Sequence, residues 1–145
     1  MTQRMAIVLL SVACLGMGGY LLLTSLLLGR EDALNWETAT RMYVEEYQRW
    51  LSESPNSGWA RVETLARGSE LGRIEKLRSG LQDRSGWRYA GGEYRLLLQA
   101  GGKALVDANY RFEDGGRGKE VHEAYVLEKT LEGPKVIAVL GGSLQ

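Results

Sequence analysis

The chain has 145 residues and a formal net charge of zero, because 18 lysine and arginine side chains are balanced by 18 aspartate and glutamate side chains. Residues 30–145 contain all of these charges except Arg4, so they carry 17 basic and 18 acidic residues. They have no excess of positive charge to attract phosphate backbones, and nucleic-acid binding is therefore not supported. The single cysteine, Cys14, lies in an apolar run. The rest of the chain therefore has neither a disulfide framework nor a cysteine metal site.

Residues 5–29 contain no charged side chain and follow a short tail in which Arg4 is the only charge. At about 1.5 Å of rise per helical residue, this run reaches roughly 37 Å, enough to cross a hydrocarbon core of about 30 Å. It predicts a transmembrane anchor, and the alternatives are a cleaved signal peptide or a lipoprotein processed at Cys14. A short basic tail before an apolar run favours a cytoplasmic N-terminus and an extracytoplasmic C-terminal domain. We therefore predict a single-pass membrane protein, with tail and anchor in residues 1–29 and one domain in residues 30–145.

Residues 30–145 have the commonest length for one domain with one hydrophobic core, and their first part has helical periodicity. Between residues 34 and 51, aromatic and apolar side chains recur every three or four positions, with charged side chains on the other side. This spacing predicts an amphipathic helix, which ends before Pro55. Two further short stretches of helical spacing meet near Gly68. The sequence thus predicts one longer helix followed by two short ones.

After residue 86 the apolar spacing changes to a period of two, which indicates strands. Four strands separated by short glycine-containing turns predict an antiparallel meander. Alternate residues from 104 to 112 are apolar, so one face of the second strand is expected to cover a core. Gly91 and Gly92 predict a bulge in the first strand, and the apolar run 136–140 predicts a last strand covered on both faces. The predicted strands are residues 87–99, 103–113, 119–131 and 135–140.

Helices followed by a four-stranded antiparallel meander form an α+β plan in which the helices pack on the concave face of a curved sheet. Short motifs accompany this plan: residues 65–71 and 77–81, Gly86-Trp87-Arg88-Tyr89, residues 104–110 with Glu113, Tyr125-Val126-Leu127, and Val136-Ile137. Together they resemble the NTF2-like cone fold, and most closely the membrane-distal IMS domain of plastid and cyanobacterial division proteins. The resemblance implies a membrane-tethered module that binds a protein partner in a cell-envelope or division complex.

Some NTF2-like relatives isomerise steroid-like ketones with an Asp base and a Tyr, which makes Asp107, His122, Tyr94, Tyr110 and Tyr125 the candidates for chemistry. Asp107 alternates with apolar neighbours and is expected to point away from the core, where a solvated carboxylate is a poor general base. His122 is the single histidine and has no carboxylate at ligand spacing, so no metal site is predicted. No phosphate loop or nucleophile elbow occurs. We predict no catalytic residue, no metal and no cofactor.

Three functions are compatible with this sequence. The first is a membrane-anchored, non-catalytic protein-interaction or assembly domain, whose partners are the lipid bilayer through residues 5–29 and a protein. The second is a binder of a small apolar ligand, and the third is a ketosteroid-isomerase-like enzyme; both require an open cavity in the cone. We favour the first, because an aromatic stripe on a helix more often packs a core. The residues that would line such a cavity are Trp36, Tyr43, Tyr47, Trp87 and Tyr110.

Overall fold

The structure, a computed structural model, describes residues 35–52, 58–80 and 86–141, together with residues 16, 17, 19, 20 and 33. The chain divides into two compact units, Met1–Leu34 and Asn35–Gln145. The described residues of the first unit are helical. All the elements and sites that follow belong to the second unit.

No helix among the described residues combines the length and the apolar character that crossing a bilayer requires. On this finding the predicted transmembrane helix is wrong, and so are the membrane anchor in residues 1–29, the single-pass topology and the extracytoplasmic placement. Most of residues 5–29, on which these predictions rested, lie outside the described residues. Apolar composition over a sufficient length does not by itself specify a spanning helix.

Three helices form the first part of the second unit: α1 covers residues 35–52, α2 spans Trp59–Leu65 and α3 spans Gly68–Gly80. Along α1, Trp36, Tyr43 and Trp50 recur on one face and are buried, as expected for an amphipathic helix against a core. The two short helices meet at Gly68, whose φ of +60° is a conformation that glycine adopts without strain. The predicted order of one longer helix and two short ones is confirmed.

The second part is one antiparallel sheet with its strands in sequential order. Two-residue glycine turns at 101–102 and 115–116 have positive φ at both positions, as type I′ hairpin turns require. These turns set the register, so that Tyr110 lies opposite Val121. The predicted meander is confirmed, although the second turn is shorter than predicted. The strands are β1 (Arg88–Ala100), β2 (Lys103–Asp114), β3 (Arg117–Thr130) and β4 (Gly133–Leu140).

One face of the sheet and the three helices share a single hydrophobic core. Alternate residues of β2 from Ala104 to Phe112 are buried, which confirms the predicted apolar face. The prediction that β4 is covered on both faces is wrong, because β4 is an edge strand in which Val136 is buried and Leu140 is 52% exposed. The α+β arrangement, with four antiparallel strands and three helices, is compatible with an NTF2-like fold.

The first strand contains the predicted bulge. The β1–β2 register shifts between Tyr89 and Gly91, and Gly91 has a φ of +115°. At Gly92 the neighbouring strand is so close that an added Cβ would lie 2.5 Å from the Cβ of Tyr110 and 2.9 Å from the backbone oxygen of Asn109. Glycine is therefore required here for the close approach of β2.

Replacing Gly92 by alanine is expected to lower the free energy of unfolding by about 1–3 kcal/mol, because backbone atoms of β2 must shift to admit the methyl group. The matched control is Gly72→Ala in α3, where an added Cβ meets nothing within 4 Å. That change is expected to stabilise the protein by about 0.5–1 kcal/mol, because alanine suits a helix interior better than glycine. Urea unfolding of both variants measures the difference, and equal stability of the two would contradict this account of the bulge.

Candidate ligand cavity

A cavity of about 390 Å³ lies between α1, α3 and the inner face of the sheet. Small-molecule pockets have volumes of roughly 300–1,000 Å³, so this one is large enough for a ligand of one or a few rings. Four longer polar side chains contribute to its wall: Gln48, Arg73, Lys119 and Glu123. The rest of the lining is Tyr43, Tyr47, Leu51, Trp87, Tyr110, Phe112, Val121, Tyr125, Val139 and Gly141.

The aromatic wall of the cavity is held by contacts between its own rings. Tyr43 stacks on Tyr47 with ring centroids 5.9 Å apart and meets Tyr125 edge to face at 6.1 Å. Tyr110 and Phe112 make a second edge contact at 5.2 Å. Stacked and edge-to-face pairs at these distances are favourable. The wall is therefore largely pre-formed.

Glu123 on β3 joins the hydroxyls of two tyrosines, and all three residues line the cavity. Its Oε2 accepts a hydrogen bond of 2.6 Å from the hydroxyl of Tyr110 and one of 2.5 Å from the hydroxyl of Tyr125. The two hydroxyl oxygens are 3.1 Å apart. We call these three residues the Tyr–Glu–Tyr cluster. Because each hydroxyl has one hydrogen and directs it to Glu123, neither has a hydrogen left for a ligand.

The Tyr–Glu–Tyr cluster is therefore rich in hydrogen-bond acceptors. Burial raises the pKa of both Tyr110 and Tyr125 above the ordinary value for tyrosine, and the nearby Glu123 carboxylate raises both further. The hydroxyls remain protonated donors to Glu123 around neutral pH. Within the described residues, Oε1 of Glu123 accepts no hydrogen bond. A ligand group next to this cluster must supply the donor.

A second carboxylate, Glu70, fixes the helical side of the cavity. Glu70 is 2% exposed and accepts hydrogen bonds from the hydroxyl of Tyr43 and from Nε and Nη2 of Arg73, the latter two at 3.0 and 2.7 Å. The guanidinium of Arg73 also lies 5.5 Å from the ring centroid of Tyr47, and its hydrogen bonds to Glu70 raise its pKa. The charge of Arg73 is thus compensated inside the protein.

The structure brings together four of the five residues that the sequence suggested for a cavity wall. Tyr43, Tyr47, Trp87 and Tyr110 line the cavity. Trp36 does not; it is 3% exposed and belongs to the packed core. It shares the buried face of α1 with Tyr43, but helical periodicity does not distinguish a side chain beside a void from one beside other side chains.

The candidates for chemistry are divided between two faces of the sheet. Asp107 and His122 lie outside the cavity, joined by a 2.6 Å contact between Oδ1 and Nε2, with side chains 34% and 69% exposed. Tyr94 is buried away from the cavity lining, with its hydroxyl 2.9 Å from that of Tyr89. Tyr110 and Tyr125 do line the cavity. Among the described residues, no group of three or more potential ligands could hold a metal ion.

Sequence reasoning missed Glu123 and Lys119, the two charged residues that β3 contributes to the cavity. Both lie in register with Val121 and Tyr125 at alternate positions of β3, so they share its inner face. The alternation of residues along β3 therefore already placed Lys119 and Glu123 on the same face as Val121 and Tyr125. Because charged residues are mostly exposed in proteins, alternation alone does not favour an inward position for them.

Comparison of the chain with protein-family models, curated proteins and solved structures gives no match. The resemblance to NTF2-like and IMS domains therefore stays a prediction.

Proposed function

We propose that the protein binds a small, mainly apolar molecule in the cavity between α1, α3 and the sheet. The observation that carries this proposal is the Tyr–Glu–Tyr cluster in the wall of an aromatic cavity of about 390 Å³. Pockets for small molecules typically combine an apolar lining with a few polar groups that set orientation. An NTF2-like relationship would be compatible with the same function, since some NTF2-like relatives act on steroid-like ketones.

The proportions of the lining favour a flat apolar ligand. Tyr43, Tyr47, Trp87 and Phe112 present ring faces or edges to the cavity, and such surfaces gain most from stacking with another planar group. Nine of the fourteen lining residues are aromatic or aliphatic, so most of the binding free energy would come from apolar area removed from water. The proposal concerns binding and assigns no reaction to the cavity.

Filling the cavity is expected to weaken this binding. The probe is prodan, a neutral naphthalene dye whose fluorescence shifts in apolar surroundings. Val121 lines the cavity and is 8% exposed, so Val121→Phe places a ring in the space that the dye would occupy. We expect the affinity for prodan to fall by about tenfold or more, which corresponds to roughly 1.4 kcal/mol.

The matched control is Val126→Phe, because Val126 lies on the same strand but outside the cavity lining. It should bind prodan as the unchanged protein does, and thermal unfolding should show both variants folded. Equal binding by Val121→Phe and Val126→Phe, or no binding by the unchanged protein, would overturn the proposal.

A protein-interaction domain is the second candidate function. Leu97 and Leu98 at the end of β1 are 53% and 62% exposed, and Leu140 on the opposite edge strand is 52% exposed. The unpaired backbone groups of an edge strand can pair with another chain, and exposed leucines add apolar surface to such a contact. Failure of the unchanged protein to bind prodan would favour this candidate over the cavity.

A further inference from the structure

The cavity carries two charges that no described residue neutralises, and they lie on one strand. Lys119 and Glu123 both line the cavity from β3. Neither takes part in an ion pair within the described part of the chain. The third charged lining residue, Arg73, is already paired with buried Glu70 at 2.7 Å. Among the described residues, the charged lining side chains without an ion-pair partner are therefore one cation and one anion.

The spacing of Lys119 and Glu123 along β3 indicates how long a ligand that contacts both residues must be. Four residues apart on a strand, their Cα atoms are separated by about 13 Å at roughly 3.3 Å per residue. Val121 lies between them on the same face and contributes apolar surface to the same cavity. A ligand lying along β3 would therefore meet a cation, an apolar stretch and an anion in that order.

The chemistry of each end defines the groups that the ligand must present. Lys119 is a half-buried residue with no ion-pair partner among the described residues, so its ammonium favours a carboxylate or another anion. At Glu123 the Tyr–Glu–Tyr cluster offers acceptors only, because both tyrosine hydrogens are directed to Oε2. A hydroxyl or an amine supplies the donor that this end lacks.

We propose that the ligand is an elongated aromatic or alicyclic acid, with its anionic group at Lys119 and a hydroxyl or amine donor at Glu123. This inference rests on the proposed binding function. The apolar body lies between these ends against Val121 and the aromatic wall. Such a ligand differs from a purely apolar compound in carrying one anionic group and one hydrogen-bond donor.

A series of naphthalene probes of similar size tests the assignment at neutral pH. 6-Hydroxy-2-naphthoate carries both groups at opposite ends, 2-naphthoate carries only the anion, and 2-naphthol carries only the donor. We expect 6-hydroxy-2-naphthoate to bind the unchanged protein about tenfold more tightly than either single-group probe, since a charge-assisted contact contributes roughly that factor. Fluorescence titration or calorimetry measures the three affinities.

Variants then assign each group to its end. Lys119→Met should reduce the affinity for 6-hydroxy-2-naphthoate to that for 2-naphthol, and should leave 2-naphthol binding unchanged. Glu123→Gln should weaken the two hydroxylated probes and leave 2-naphthoate unchanged. The matched control is Lys129→Met, which alters an exposed lysine of the same strand outside the cavity lining and should change nothing.

The outcomes separate the two proposals. If 6-hydroxy-2-naphthoate binds no more tightly than 2-naphthol, or if Lys119→Met and Lys129→Met behave alike, the charged-ligand assignment is wrong. Continued loss of prodan binding in Val121→Phe would then show that the cavity still binds apolar molecules. If prodan and all three naphthalene probes fail to bind the unchanged protein, both proposals fail together.

Discussion

Raising the pH above about 10 is expected to destabilise this fold steeply. Four buried tyrosines stay protonated in the folded protein, whereas the same tyrosines ionise in the unfolded chain. Tyr43, Tyr94, Tyr110 and Tyr125 are each no more than 7% exposed. In each, burial is the largest cause that raises the pKa above the ordinary value for tyrosine. Hydrogen bonds or charges of neighbouring tyrosines and glutamates raise these pKa values further.

The sign follows from which state loses its protons first. A tyrosine whose folded-state pKa is raised stays protonated in the fold while the same residue in the unfolded chain ionises near pH 10. Its contribution to stability is fully present below that pH and is lost as the pH rises toward the folded-state pKa. Each such tyrosine lowers the free energy of unfolding by up to about 1.4 kcal/mol per pH unit. Four together reach roughly 5 kcal/mol per unit, comparable to the total stability of a small domain.

Urea unfolding at a series of pH values from neutrality to strong alkali measures this slope. Tyr94→Phe removes one of the four hydroxyls and keeps the ring; the lost hydrogen bond to Tyr89 would lower stability by a constant amount at every pH. The lost titration would instead flatten the alkaline slope by about a quarter. A stability that stays level between pH 9 and 11 would show that the fold does not raise the pKa of these four tyrosines.

The elements of this fold were largely predictable because periodicity is a local property of the sequence. The apolar spacing of α1, the change to a period of two after residue 86 and the glycines at 101–102 and 115–116 each report backbone geometry directly. The bulge at Gly91 was predictable for the same reason. The apolar run 5–29 predicted a membrane span, and no helix among the described residues has the length and apolar character that a span requires.

The candidate site was harder to predict because it depends on the register between strands. The turn between β2 and β3 was assigned to residues 114–118, but the structure uses only 115 and 116. A register error of one residue moves side chains to the wrong face of the partner strand. Only the two-residue turn places Tyr110 opposite Val121 and thereby beside Glu123. The open space that makes these residues a site has no sequence pattern at all.

Replacing Arg73 by leucine is expected to lower the free energy of unfolding by about 3 kcal/mol at neutral pH. The change leaves Glu70, a carboxylate that is 2% exposed, with the hydroxyl of Tyr43 as its remaining side-chain donor among the described residues. Removing one partner of a buried ion pair typically costs about 3–5 kcal/mol, because the other charge stays buried without compensation. The lower end applies because the side chain of Arg73 is 49% exposed, so water already screens part of the interaction.

A double variant separates the buried charge from the loss of the arginine itself. Arg73→Leu/Glu70→Gln replaces the carboxylate by a neutral amide of similar shape, so most of the lost stability should return. The matched control is Arg78→Leu on the same helix, which removes a guanidinium 4.5 Å from the ring centroid of Trp59 and should cost no more than about 1 kcal/mol. If the double variant is as unstable as Arg73→Leu in urea unfolding, the arginine stabilises α3 through packing rather than through its pairing with Glu70.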